Sequence, residues 1–83
     1  MSLEHRLNRV LALGTAQNYM PGFQANISGD FAGMTLDEIM HSLGVPSHAV
    51  WFFSIAGKRV SNEYRLGEGE EFTIHSPVDG GSN

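Results

Sequence analysis

The chain has 83 residues, 41% of them hydrophobic and 17% charged, with no cysteine and a formal net charge of −4. That is the length of one domain. The missing cysteine excludes disulfides, thiolate metal sites and a sulfur nucleophile. The acidic balance argues against a nucleic-acid ligand, which needs a basic face, and no apolar run approaches the roughly 20 residues of a membrane span. The first six residues have no apolar signal-peptide core, so the expected compartment is the cytoplasm.

Residues 7–13 carry Leu7, Val10, Leu11, Ala12 and Leu13. They fit a buried strand or the start of a helix, and periodicity alone does not choose. Residues 14–22 hold two glycines, Asn18 and Pro21 and read as a loop. Residues 23–28 alternate apolar and polar, the period of a half-buried strand. Gly29, Asp30 and Gly33 then break the chain.

Thr35-Leu36-Asp37-Glu38 has the form of a capping box, in which the threonine hydroxyl and the glutamate carboxylate each satisfy the other's backbone N–H. Met34 and Ile39 occupy the two positions of a hydrophobic staple. Leu36, Ile39, Met40 and Leu43 fall at i, i+3, i+4 and i+7, one face of a helix. Asp37 and Glu38 suit the positive end of its dipole. Gly44 ends it and Pro46 forbids its continuation, so the expected helix has about ten residues.

Residues 49–55 are rich in aromatic and β-branched side chains and read as a strand. If Trp51, Phe53 and Ile55 face the core, Val50 and Phe52 face outward, because strand side chains alternate. Ala56-Gly57-Lys58 turns the chain, and Arg59-Val60-Ser61 is expected to pair back. Leu66 is expected to tuck under the turn at residues 66–70. Phe72 and Ile74 alternate with Thr73 and His75 in a last strand. One amphipathic helix must pack on a sheet. The order therefore implies an α+β fold, a mixed four- to five-stranded sheet against one main helix, with the first and last strands side by side at its centre.

The chain divides into a body, residues 1–76, and a tail, residues 77–83, which contains Gly80-Gly81. Glycine packs nothing and costs entropy. What a di-glycine offers is a slim thread that can enter a narrow channel on another protein.

The sequence resembles the ubiquitin-like sulfur carriers of thiamin and molybdopterin biosynthesis (ThiS/MoaD-like). The resemblance rests on Thr35-Leu36-Asp37-Glu38-Ile39, Leu43-Gly44-Val45-Pro46, Ile55-Ala56-Gly57-Lys58, Leu66-Gly67-Glu68-Gly69-Glu70-Glu71-Phe72 and Pro77-Val78-Asp79-Gly80-Gly81, in that order. It covers about residues 35–81, and the first 33 match only in outline. It implies the β-grasp fold and a carrier role. A partner adenylating enzyme of the ThiF/MoeB type uses ATP to activate the carboxylate of Gly81, with Gly80 giving access. A thiocarboxylate then forms for a thiazole synthase or the large subunit of molybdopterin synthase. On this reading the chain is a substrate and not an enzyme, and it binds no cofactor itself. Two departures stand out. Ser82-Asn83 follows the glycine pair and has to be removed before Gly81 can react. Asp79 stands where the family has a small neutral residue, and its charge works against a bound nucleotide.

The residues expected to touch the partner are Phe52, Lys58 and Arg59 on the body and Pro77, Val78 and Asp79 on the tail. Glu63, Glu68, Glu70 and Glu71 form an acidic cluster that can speed encounter with a basic partner or simply be a solvated turn. His5, His41, His48 and His75 form no close ligand pair, so no metal site is expected. Gly67-Glu68-Gly69 and Gly57-Lys58 lack the rest of a nucleotide-binding fingerprint, and no nucleophile–base pair is visible. Two other functions fit the same residues: a protein-interaction module that keeps the fold without sulfur chemistry, and a ubiquitin-like modifier joined to target lysines through Gly81.

Overall fold

The computed structural model describes residues 6–77. They form an α+β fold with strands β1 (Asn8–Ala12), β2 (Asn26–Gly29), β3 (Phe52–Ile55), β4 (Lys58–Val60) and β5 (Glu71–His75) and one α-helix, α1 (Leu36–Leu43). The sheet order is β2-β1-β5-β3-β4. β1 and β5 run parallel at the centre, with Val10 beside Phe72 and Ala12 beside Ile74. The other three pairings are antiparallel. The expected mixed sheet has five strands, and its first and last strands are neighbours.

The alternation of each strand sends one set of side chains to the helix side. Val10, Ala12, Phe53, Phe72 and Ile74 are buried there. Leu36, Ile39 and Met40 of α1 close the core over them, and each such side chain contributes about 1.5–3 kcal/mol of burial. Phe53 meets Phe72 edge-on at 5.9 Å. The opposite face of the sheet carries Arg9, Thr73, His75, Phe52, Ser54 and Arg59.

Local chemistry sets the helix ends. Thr35 Oγ1 accepts from Glu38 N at 3.1 Å, and Glu38 Oε1 accepts from Thr35 N at 3.0 Å. Gly44 adopts φ 84°, which glycine does without the steric penalty of a Cβ. From there Gly44 N and Val45 N both donate to Met40 O at 2.9 Å. The helix has eight residues, two fewer than expected, because Thr35 and Gly44 are caps outside it.

The open choice at residues 7–13 resolves to a strand, Asn8–Ala12. Two expectations need correction. The alternating stretch 23–28 is not one strand: Phe23 belongs to a short 3-10 turn (Pro21–Phe23) with φ 58°, and pairing begins only at Asn26. Trp51 does not face the core. A 3-10 turn at Ser47–Ala49 delays the third strand until Phe52, leaving Trp51 at a bend with 55% of its surface exposed.

Candidate functional site: the root of the C-terminal segment

β5 lies between β1 and β3 and ends at His75. Its exit is fastened on both flanks. Leu13 N donates to Ile74 O at 3.0 Å, and Trp51 N donates to His75 O at 2.6 Å. One residue later, Ser76 Oγ donates to Leu13 O at 2.6 Å and accepts from Ala16 N at 2.7 Å. Gly14 permits this crossing. It has φ 66°, and a Cβ there would stand 3.2 Å from Ser76 Cβ. Pro77 follows, exposed. A hollow of about 370 Å³ opens here, bounded by Leu13, Gly14, Thr15, Trp51, His75, Ser76 and Pro77. Leu13 and Trp51 are each about half exposed on its rim.

Beside this root runs a row of aromatic and cationic groups. The Phe52 ring stacks on the His75 imidazole with centroids 4.2 Å apart and planes 7° from parallel. The Arg59 guanidinium lies 4.7 Å from the Phe52 centroid, within cation–π reach. Trp51 packs edge-on against Phe52 at 4.9 Å. His75 Nε2 and Ser54 Oγ share a 2.8 Å hydrogen bond. The register explains the row, since Phe52 lies opposite His75 and Ser54 opposite Arg59. Phe52 is half-buried by these neighbours, in keeping with an outward-facing position.

The proposed contact residues therefore separate. Phe52 and Arg59 join the row, Lys58 is exposed at its hairpin end, and Pro77 marks the exit. Val78, Asp79, Gly80 and Gly81 lie outside the described residues.

The acidic cluster is not uniformly a solvated turn. Glu70 is half-buried, accepting from Gly67 N at 2.7 Å and from the Tyr64 hydroxyl at 3.0 and 2.9 Å. That hydrogen bond is the main reason the Tyr64 phenol is held above its ordinary 10.0, with desolvation and the Glu70 charge adding in the same direction. Glu63, Glu68 and Arg65 remain exposed. Behind the turn sits Asn8, a residue that no local sequence pattern marks out. It is completely buried. Asn8 Nδ2 donates to Gly67 O at 2.8 Å and Glu70 O at 2.9 Å, and its Oδ1 accepts from Phe31 N at 2.9 Å.

No group of three or more His, Asp or Glu side chains that could hold a metal ion occurs among the described residues. None of their helices is long and apolar enough to cross a membrane. No family model matches this chain, and neither a curated protein nor a solved structure does.

Proposed function

We propose that this is a β-grasp domain acting as a sulfur carrier, loaded at Gly81 by a separate ATP-dependent adenylating enzyme. The supporting observation is the placement of β5. The last strand occupies the middle of the sheet, and the chain leaves it through a root hydrogen-bonded to two other segments. Whatever follows Pro77 thus starts from a fixed point beside the aromatic row. A partner that docks on Phe52, Arg59 and Trp51 has a defined origin from which to take up the glycine end. Positioning of this kind is worth several kcal/mol to a reaction between two large molecules.

Residues 82 and 83 are first removed by hydrolysis. The freed Gly81 carboxylate attacks the α-phosphorus of ATP, pyrophosphate leaves, and an acyl-adenylate forms. A sulfur donor at the oxidation level of sulfide attacks the acyl carbon and AMP leaves. The thiocarboxylate that remains can deliver its sulfur to a thiazole synthase or to the large subunit of molybdopterin synthase. Independent catalysis plays no part: the body supplies docking and aim.

The test uses two chains, one full length and one ending at Gly81, each incubated with a ThiF/MoeB-like enzyme, ATP and a sulfide source. Pyrophosphate release and exchange of one oxygen for sulfur in the Gly81-ended chain alone support the carrier. Conjugates on target lysines would instead make it a ubiquitin-like modifier. If the trimmed chain neither reacts nor conjugates, it is an interaction module that keeps the fold and lacks the chemistry.

A further inference from the structure

The edge of the sheet at β4 carries a second interaction surface, which shares Arg59 with the aromatic row. β3 and β4 are joined by Ala56-Gly57, with φ 53° and 81°, the geometry of a two-residue type I′ turn. The closing pair of such a turn, here Ile55 and Lys58, exchanges its backbone hydrogen bonds internally. Bonded and non-bonded pairs then alternate along an antiparallel ladder. Phe53–Val60 is a bonded pair and Ser54–Arg59 is not. The N–H and C=O of Arg59 therefore point away from β3, off the free edge. Next to that edge, between α1 and the β3–β4 hairpin, lies an open groove of about 540 Å³. Met40, Val45, Val50, Phe53 and Val60 give it an apolar floor, and Asp37 lines it on the helix side.

We propose that β4 takes an extended peptide as a sixth strand, with the pattern apolar–acidic–apolar. Backbone pairing to Arg59 fixes the register. The peptide residue opposite Arg59 falls on the outer face, beside the guanidinium, and an acidic side chain there forms a charge-assisted pair. Its two neighbours point to the other face: the one opposite Val60 enters the groove, where an apolar group fits and the Asp37 carboxylate repels acids, and the one opposite Lys58 lies along that side chain's aliphatic stem. Charge selects this occupant over a second copy of the chain. Lys58 and Arg59 supply two of the five cationic side chains in a molecule of net charge −4. Antiparallel self-pairing about Arg59 would set one Arg59 against the other, a like-charge opposition that edge strands use to block self-association.

The experiment is amide-resolved NMR titration of the ¹⁵N-labelled protein with two blocked heptapeptides, STVEVTS and STVKVTS. Expected are shifts clustered at Lys58, Arg59, Val60 and Ser61 and on Met40 and His41, with STVKVTS binding at least about tenfold more weakly. In Arg59→Glu, a change at an exposed position, the preference should invert. Equal response to both peptides overturns the proposal. So do shifts centred on Leu13 and Thr15, absence of binding, or a concentration-dependent dimer through β4. The readout is peptide binding and not loading of Gly81, so the outcome stands apart from that of the carrier test.

Discussion

Ser76 Oγ accepts a 2.7 Å hydrogen bond from Ala16 N, 60 positions earlier in the chain. The same oxygen donates to Leu13 O, so one hydroxyl ties the exit of β5 to the loop after β1. Ser76→Ala should leave the fold intact, since a single bond of this kind contributes about 1 kcal/mol. Its effect should be local. Amide exchange at Ala16 should accelerate several-fold while Phe72 at the sheet centre keeps its protection. Uniform acceleration across β1 and β5 would mean that Ser76 supports the whole sheet and not the root alone.

Asn8 makes a heavier contribution. Its side chain ties β1 to two other segments: Phe31 before the helix, and the turn of Gly67 and Glu70 before β5. Asn8→Ala leaves one buried N–H and two carbonyls without these partners. At about 1–3 kcal/mol for stranding a buried group, partly relieved by water, the loss should be about 2–4 kcal/mol. In a domain this size that lowers the melting temperature by roughly 10–25 °C. A calorimetric shift under about 3 °C would show that water replaces the amide at little cost.

The contrast between these residues and α1 explains what was legible. Helix signals are local: Thr35, Glu38, the apolar face and Gly44 lie within ten residues, and the structure uses each as expected. Asn8 gave no signal because its partners lie 23, 59 and 62 positions away. The early alternation misled because Gly22 and Phe23 both have positive φ, a conformation that side-chain periodicity does not report. Trp51 misled because propensity marks a residue type and not the residue at which pairing starts. Of the site, Phe52, Arg59 and Pro77 were legible from position. Ser54, His75, Ser76 and Gly14 depend on contacts between distant segments.

Phe52 separates docking from folding. It is half-buried, and its register partner His75 and the Arg59 guanidinium over its ring lie on the sheet face opposite Phe53 and Phe72. Phe52→Ala should therefore cost the body only about 1–2 kcal/mol. In loading assays of the Gly81-ended chain, KM for the carrier should rise at least about tenfold with kcat little changed, the pattern of lost ground-state binding. An unchanged KM would remove this face from the docking surface.

Ala56 has φ 53° at the first central position of the β3–β4 turn, where asparagine is favoured and alanine carries steric strain. Gly57 already fills the second position. Ala56→Asn should stabilise the domain by about 0.5–1 kcal/mol, read as a higher denaturation midpoint at unchanged m-value. Destabilisation would mean that the turn is not type I′ in solution.

Tyr64 predicts the alkaline limb of the stability curve. Its hydroxyl donates to both oxygens of Glu70, and that hydrogen bond, with smaller help from desolvation and the Glu70 charge, raises the phenol above 10.0 in the folded chain. The unfolded chain releases this proton near the ordinary tyrosine value of about 10. The folded state therefore holds the proton more tightly. The associated stability is complete below that value and is lost as pH rises through the higher folded one. Tyr64→Phe has no proton to release. The stability difference between the wild type and this variant should be level through neutral pH, then fall as pH climbs past about 10. Phenolate absorbance assigned to Tyr64 by subtraction should appear at higher pH in the folded protein than in urea. A level difference across the alkaline range, or equal titration in both states, would mean the Glu70 hydrogen bond is not formed in solution.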